Sequence, residues 1–426
     1  MAFEQRELGP RRLMASMALV AVLLAACQNA ATPAPGNTGF RLASTNLNDS
    51  SVGFGIDLAD RLLARPGAGN VVISPLSATL ALSMVASGAH GATRAAILST
   101  LGLDPTIDPS TQAVETLARL VQSDPNTQLE LADALWAQKG LTMNPTYVTR
   151  LEHDYKAQIG SIDFRSPDAP KAVNAWVSAA THQQINQLVD HFDPATVAFL
   201  ANATYFHGLW LNELFPTQKP ALFRTFSGRS ISVPMMYNEF PIAFVEAATY
   251  EAVLLPYRGG RFSMAVVLPR KQLSPSGFAQ FFTLAIWHEV LGWFHKGLGP
   301  SFASKKCQTS DPGATEVLCK GTLKFPRVTL DYGADLTSEL AQMGMAPARN
   351  AAADFSDLCQ GCAISTVVQK THLEIDEKGT TAAAGTGVGI VLSGGGADMV
   401  VDHPFALALI DNASDAPLFL GVVGQL

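Results

Sequence analysis

The chain has 426 residues, of which 48% are hydrophobic and 15% charged, and its formal net charge is −7. This composition is too apolar for a disordered chain and suffices to bury a large core. The acidic balance and the lack of any Lys/Arg cluster argue against nucleic-acid binding. We find no internal repeat or linker, so we expect one large domain.

The N-terminus is typical of an export signal. Arg11-Arg12 precede an apolar run that ends at Cys27, and this run is too short to cross the ~30 Å hydrocarbon core of a bilayer as a helix. The stretch Leu24-Ala25-Ala26-Cys27 resembles the lipobox of bacterial lipoproteins, in which the cysteine is lipidated. We therefore predict a lipoprotein-type signal peptide at residues 1–26 and a flexible tether at residues 27–46.

This signal predicts where the protein resides. With a lipid on Cys27, the protein is anchored to a membrane of a bacterial cell envelope, in the periplasm or at the cell surface. The alternative is an ordinary signal peptide with an unmodified Cys27, which gives a secreted protein.

The pattern beyond the tether is mainly helical in the first half and mainly β afterwards. Apolar periodicity with Ser, Pro and Gly at the segment ends predicts helices at residues 51–63, 77–87, 91–101, 111–123, 145–156, 168–182 and 277–294. Short apolar or alternating runs predict strands at residues 71–76, 129–136, 199–206, 223–226, 242–246, 252–256, 262–268, 321–330, 372–376, 399–401, 405–411 and 418–425. This order indicates an α+β fold.

Four further cysteines are Cys307, Cys319, Cys359 and Cys362. Disulfides persist in exported proteins, but four cysteines allow three pairings and the sequence does not choose among them. A bond between Cys307 and Cys319 would close a surface insertion at residues 297–321. A zinc site and free thiols are the alternatives, and because no histidine shares the spacing, we predict no metal site.

The segment from Glu377 to Thr386 is rich in small residues, which bury little apolar area in a packed core. In a strand, successive side chains point to opposite faces. One face would carry Thr380, Ala382, Ala384, Thr386, Val388 and Ile390, and the other Thr381, Ala383, Gly385, Gly387, Gly389 and Val391. The first set is β-compatible and the second is mostly small, which suits a segment that slides between two strands. The alternative is a flexible linker.

Several blocks of sequence resemble motifs of the serpin family, in the family's order. They are residues 70–77, 88–93, 202–210, 233–236, 254–257, 262–269, 377–386, 402–405 and 417–421. The resemblance implies a single serpin domain at residues 47–426. That domain would have three mostly antiparallel β-sheets, eight or nine helices and an exposed reactive-centre loop near the C-terminus.

The resemblance also implies a function, which is inhibition of a protease and not enzymatic catalysis. In the family, a target protease attacks the loop, and the loop then inserts into the central sheet and distorts the trapped acyl-enzyme. The hinge residues that match inhibitory members are Glu377, Gly379, Thr380, Thr381, Ala382, Ala383 and Ala384. The alternative is a non-inhibitory serpin that acts as a binding or structural protein, because the loop glycines raise the entropy cost of insertion.

A second group of matching residues lies under the central sheet in the family, in the regions called the shutter and the breach. They are Ser74, Ser77, Asn202, Trp210 and Gln369. Gln369 stands where the family usually has a histidine that bonds to the residue matching Asn202. An amide can still make this hydrogen bond, so we expect the shutter to form.

The family's loop length places the scissile bond between Ser393 and Gly394, so that Ser393 supplies the acyl group. The alternatives are that Leu392 or Gly394, one residue to either side, supplies it. The small and apolar residues here favour a target of elastase, subtilisin or chymotrypsin type, and inhibition of papain-like cysteine proteases is also open. The loop contains no Arg or Lys for a trypsin-like enzyme. The resemblance implies a monomer that forms a covalent complex with its target, without a cofactor.

Overall fold

The structure is a computed structural model that describes residues 43–120, 125–296, 319–359, 361–380 and 397–426. A compact unit extends from Ala43 to Leu426. The predicted signal peptide, Cys27 and most of the predicted tether lie outside the described residues. None of the helices within the described ranges has both the length and the apolar character needed to span a bilayer.

The described ranges contain nine α-helices, which agrees with the expected eight or nine. They are α1 (Leu47–Leu63), α2 (Pro75–Ala86), α3 (Gly91–Leu101), α4 (Pro109–Leu120), α5 (Pro145–Asp154), α6 (Ala169–Ala180), α7 (Pro275–Phe281), α8 (Leu284–Lys296) and α9 (Thr337–Leu340). The prediction of one helix at residues 277–294 was wrong, because Phe282 (φ −84, ψ 71) leaves the helical region and separates α7 from α8.

Seventeen strands accompany them in the same ranges. They are β1 (Val71–Ile73), β2 (Thr127–Gln138), β3 (Gln158–Ile162), β4 (Ala198–Leu209), β5 (Phe215–Pro216), β6 (Ala221–Arg224), β7 (Ser230–Val233), β8 (Met235–Glu246), β9 (Tyr250–Pro256), β10 (Phe262–Pro269), β11 (Cys319–Pro326), β12 (Val328–Asp335), β13 (Val367–Ile375), β14 (Gly379–Thr380), β15 (Ala397–Val400), β16 (Phe405–Asp411) and β17 (Ala416–Val423). The bounds of β16 and β17 agree closely with the strands predicted at residues 405–411 and 418–425. β3 was not predicted, because its sequence is short and does not alternate.

The strands form three sheets, as expected. The central sheet has the order β12-β13-β14-β4-β2-β3, the second has the order β1-β17-β16-β10-β9-β8-β11-β15 with β5 on β8, and β6 pairs with β7. Among the described pairs only β2–β3, β4–β13 and β11–β15 are parallel. The fold is therefore α+β with mostly antiparallel sheets.

The predicted strand at residues 321–330 is two strands that belong to different sheets. β11 pairs with β8 in the second sheet, whereas β12 pairs with β13 in the central sheet. Local sequence does not distinguish these outcomes, because the partner of a strand is set by long-range contacts.

Helix α2 packs against one face of the central sheet. All of its residues are buried, and it packs between β4 and β17. A helix covered on all sides has no polar face, and the sequence of α2 is accordingly apolar apart from Ser77, Thr79 and Ser83, whose hydroxyl groups all make hydrogen bonds. Its N-terminus brings Ser74 and Ser77 beneath β4 and β13, where the candidate site lies.

Candidate functional site

Strands β4 and β13 pair directly over only part of their length. Their parallel register runs from Val367 opposite Leu200 to Thr371 opposite Thr204. Farther along, β14 lies between them, antiparallel to both. The predicted hinge therefore begins as a short strand inside the central sheet.

Gly379 is required in β14 by the closeness of its neighbour. A Cβ atom at this position would lie 1.9 Å from the backbone oxygen of Gly208, far inside contact distance. The preceding turn is held by Asp376, whose Oδ1 accepts hydrogen bonds from the backbone N–H groups of Lys378 (2.8 Å) and Gly379 (3.1 Å). The predicted hinge glycine is thus explained by a close backbone approach.

The next hinge residue, Thr380, is completely buried. Its Oγ1 lies 2.6 Å from the hydroxyl oxygen of Tyr257. The Tyr257 ring stacks on Trp210 at 4.4 Å between centroids, and Trp210 Nε1 donates to the backbone oxygen of Asp376 at 3.0 Å. These contacts hold the hinge turn and the inserted threonine together, and they place the predicted breach residue Trp210 beside the hinge.

An ion pair covers the outer side of this turn. Glu377 Oε1 accepts from Arg327 Nε at 2.8 Å and from Arg327 Nη2 at 2.5 Å. Because the arginine side chain is 45% exposed, we expect this pair to contribute no more than ~1 kcal/mol to stability. The sequence assigned no role to Arg327 or to Tyr257, although Tyr257 ends the matching block at residues 254–257, because both act on residues far away along the chain.

The bond between Tyr257 and Thr380 predicts a measurable effect. In Tyr257→Phe, the threonine hydroxyl loses its buried partner, so the free energy of unfolding should fall by about 1–3 kcal/mol. Deuterium uptake at residues 376–380 should rise at the same time. Tyr250→Phe is the control, because its hydroxyl bonds to Glu289 at 3.0 Å outside the hinge. Unchanged uptake at the hinge in Tyr257→Phe would contradict a latching role.

Below the hinge, a row of buried polar side chains crosses the central sheet on the face toward α2. Asp133 on β2 lies opposite Asn202 on β4, and Asn202 lies opposite Gln369 on β13. Asn202 Nδ2 donates to Asp133 Oδ1 at 2.7 Å and to Ser77 Oγ at 2.6 Å. Gln369 Nε2 donates to Asn202 Oδ1 at 2.9 Å. We call these residues, together with Ser74, the gate.

Ser74 belongs to the gate through its backbone. Its N–H donates to Gln369 Oε1 and its carbonyl oxygen accepts from Gln369 Nε2, both at 3.0 Å. The Ser74 hydroxyl itself is buried without a hydrogen-bond partner among the described residues. Gln369 thus makes the predicted bond to Asn202 and also ties β13 to the start of α2.

Sequence reasoning missed Asp133, although a signal was present. On β2, Leu129, Leu131 and Leu135 share one face, and Asp133 interrupts this apolar series. Its side chain is 6% exposed, and burial raises the pKa of its carboxyl to about 7, with the hydrogen bond from Asn202 acting in the opposite direction.

Other predicted site residues fall outside the site or outside the described residues. Cys359 and Cys362 form a disulfide bond, and Cys319 begins β11. The residues outside the described ranges are Cys27, Cys307, Thr381, Ala382, Ala383, Ala384, Leu392, Ser393 and Gly394. The pairing of Cys307 with Cys319 therefore stays a prediction, as does the position of the scissile bond.

Comparisons of the sequence with known proteins give one consistent result. A family model described as Serpin (serine protease inhibitor) matches residues 49–425. The leukocyte elastase inhibitor of Sus scrofa is 30% identical over 387 residues, which span 88% of this chain and 98% of that protein. Serpin-ZXA of Oryza sativa subsp. japonica is 28% identical over 378 residues, which span 84% of this chain and 90% of that protein.

Solved structures show the same fold. Tengpin, a thermophilic serpin in its native state, superposes with a TM-score of 0.75 at 24% identity, covering 89% of this chain and 94% of that one. Thyroxine-binding globulin in complex with thyroxine superposes with a TM-score of 0.76 at 22% identity, covering 89% and 99%. At these identities the likeness is one of fold.

Proposed function

This chain belongs to the serpin family, and on that basis we propose that it is an irreversible suicide-substrate inhibitor of serine proteases and not an enzyme. In this proposal, residues 379–393 insert into the central sheet after a target protease attacks the loop. The observation that carries the proposal is β14, in which the hinge already lies between β13 and β4.

The register of β14 supports insertion of the following residues. Thr380 lies opposite Ile375 of β13 and Gly208 of β4, and both pairings are antiparallel. Each further residue of an inserted loop would therefore lie opposite the preceding residue of β13 and the preceding residue of β4. Continued in this way, residue 384 would lie between Thr371 and Thr204, which are now paired with each other. The loop would therefore enter in register with both strands.

The same register decides which face each loop residue would occupy. Thr380 is buried, and Asn202 and Gln369 lie on the α2 side of the sheet. Even-numbered loop residues would follow Thr380 onto this side, so Thr386 would arrive between Asn202 and Gln369. The even-numbered set is the β-compatible one, which suits the covered face of a sheet.

The chemical step belongs to the protease. Its nucleophile attacks the carbonyl carbon of Ser393, the bond to the nitrogen of Gly394 breaks, and the amine leaves with a proton from the enzyme. Insertion of the freed strand would form roughly ten backbone hydrogen bonds at ~1 kcal/mol each. Since proteins are stable by only ~5–15 kcal/mol, this free energy is enough to distort the trapped enzyme.

The residues before the scissile bond favour an elastase- or subtilisin-like target, with chymotrypsin-like enzymes as close alternatives. Val391, Leu392 and Ser393 offer apolar and small side chains and no cation for a buried carboxylate. The name of the Sus scrofa relative, leukocyte elastase inhibitor, is consistent with this class.

Incubation of the protein with a panel of purified proteases tests the proposal. We expect elastase- or subtilisin-like enzymes to form a denaturant-stable complex, with a released peptide that begins at Gly394 or one residue away. Trypsin-like enzymes should not be trapped, and papain-like enzymes test the cysteine-protease alternative. The variant Ser393→Arg is the matched control, and it should shift trapping toward trypsin-like enzymes. Cleavage of the loop by every enzyme without any complex would favour a non-inhibitory serpin.

We further propose that the inhibitor acts outside the cytoplasm, attached to a membrane through a lipid on Cys27. The support is the basic, apolar and Leu-Ala-Ala-Cys sequence at the N-terminus. A tether at residues 27–46 would keep the loop accessible to proteases that approach the cell.

A further inference from the structure

The gate contains one ionisable side chain, Asp133, whereas its other members are serine, asparagine and glutamine. An ionised carboxylate can only accept hydrogen bonds, while an amide presents donors at one end and an acceptor at the other. The protonation state of Asp133 therefore decides whether the gate holds a buried charge.

The hydrogen bonds of the gate have one consistent direction. With Asp133 as acceptor, Asn202 turns its Nδ2 toward β2 and its Oδ1 toward β13, where it accepts from Gln369. The other contacts of Gln369, with the N–H and carbonyl of Ser74, permit only this orientation of its amide. This arrangement, which joins β4 to β13, needs an acceptor oxygen on Asp133, and both the ionised and the protonated carboxyl group supply one.

Among the described residues, no charged side chain acts on Asp133 from the elements around it. The acidic, basic and histidine residues of β4 and β13, which are His207, Lys370, His372 and Glu374, alternate onto the other face of the sheet. The sequences of α2 and β3 contain no ionisable residue. On the gate side of the sheet, the neighbours of Asn202 along β4 are Leu200 and Thr204, and those of Gln369 along β13 are Val367 and Thr371. Among the described residues, the polar contact of the Asp133 carboxyl group is with the amide of Asn202, which is a neutral group.

We propose that Asp133 is a positioning residue for loop insertion, which acts through Asn202 and whose protonation state sets how readily β4 and β13 separate. The separation breaks the bond between Asn202 and Gln369 and admits water next to the carboxyl group. Water stabilises an ionised carboxylate much better than the buried face of the sheet does. The gate therefore opens more readily when Asp133 is ionised.

The direction of the pH dependence follows from the same burial. The pKa of Asp133 is raised from 3.8 to about 7 in the closed gate, and a hydrated carboxyl returns toward the lower value. Protonation therefore stabilises the closed gate at low pH, and this stabilisation is lost as the pH rises through about 7. The proposal rests on the proposed function for its biological role, but gate opening is measurable without a protease.

Hydrogen exchange of the intact protein tests the proposal. Deuterium uptake at residues 200–204 and 367–371 reports separation of β4 and β13, and would be compared between wild type and Asp133→Asn at each pH. The intrinsic exchange rate cancels in this ratio, and so does the effect of other titrating groups such as Asp60, whose carboxyl pKa burial raises to about 8. We expect the ratio of wild-type to variant opening to rise roughly a hundredfold between about pH 5 and about pH 8, since each pH unit between the pKa values of the open and closed gate changes it about tenfold.

Three controls separate a gate from a general loss of stability. Glu130→Gln removes a carboxylate of β2 that is 46% exposed. The ratio of wild-type to Glu130→Gln opening should not change with pH. Amides of β16 and β17, away from the gate, should change less than those of β4 and β13. If Asp133→Asn does not fold, Asp133→Ser takes its place as a variant with a neutral acceptor. In addition, the opening constant of the wild-type protein must itself rise with pH.

A wild-type to Asp133→Asn ratio that is independent of pH would overturn the proposal. An equal change at β4, β13, β16 and β17 would also overturn it, since it would assign Asp133 to overall stability. Failure of the proposed function looks different: the protein would trap no protease, while the pH dependence of exchange at the gate would remain.

Discussion

Cleavage of the loop between Ser393 and Gly394 should raise the melting temperature of the protein by roughly 10 °C or more. The reason is that the freed strand can enter the gap that β14 already begins between β13 and β4. Insertion of residues 381–393 would form roughly ten backbone hydrogen bonds, or about 10 kcal/mol. Calorimetry of the intact and cleaved protein measures the difference.

The control for this experiment is a cleaved protein that cannot insert its loop. Cleaved Thr380→Arg should melt near the temperature of the intact variant, because the first inserted side chain would carry a buried charge. If cleaved wild type melts no higher than intact wild type, the loop does not insert, and the inhibitory proposal fails. The fold and the family membership would be unaffected by that result.

The substitution Thr380→Arg should convert the inhibitor into a substrate. Thr380 is completely buried beside Tyr257 and Gly208, so an arginine here must either bury its charge or leave the sheet. A barrier higher by ~3 kcal/mol from this burial would slow insertion ~100-fold. Hydrolysis of the acyl-enzyme would then finish before the protease is trapped.

Electrophoresis after incubation with the target protease measures this partition. Thr380→Arg should give cleaved inhibitor and active enzyme, and the covalent complex should be lost. Thr380→Ser is the matched control, since it keeps a hydroxyl for Tyr257 and should still trap the enzyme. Persistent complex with Thr380→Arg would mean that insertion of the loop does not require an uncharged side chain at this position.

Some parts of the molecule were determined by local sequence. The strand at residues 405–411 and the helix at residues 91–101 have the predicted bounds, because each has a clear apolar pattern and a clear end signal. The hinge was predicted from the resemblance of residues 377–386 to serpin motifs. Gly379 and Thr380 are indeed where the loop meets the central sheet.

Other parts could be decided only by the tertiary structure. Asp133, Asn202 and Gln369 are separated by 69 and 167 residues along the chain, yet they form one line of hydrogen bonds. Tyr257 lies 123 residues from its partner Thr380. A sequence pattern reports which face of an element is buried, but not which distant element covers that face.

The sequence by itself therefore determined the fold class, because this depends on residue types and local periodicity, and its resemblance to serpin motifs identified the family. Only the tertiary structure decided that the hinge begins inside the sheet and that a buried carboxylate belongs to the gate. Both depend on which strands become neighbours, and that choice is made by the packing of the whole domain.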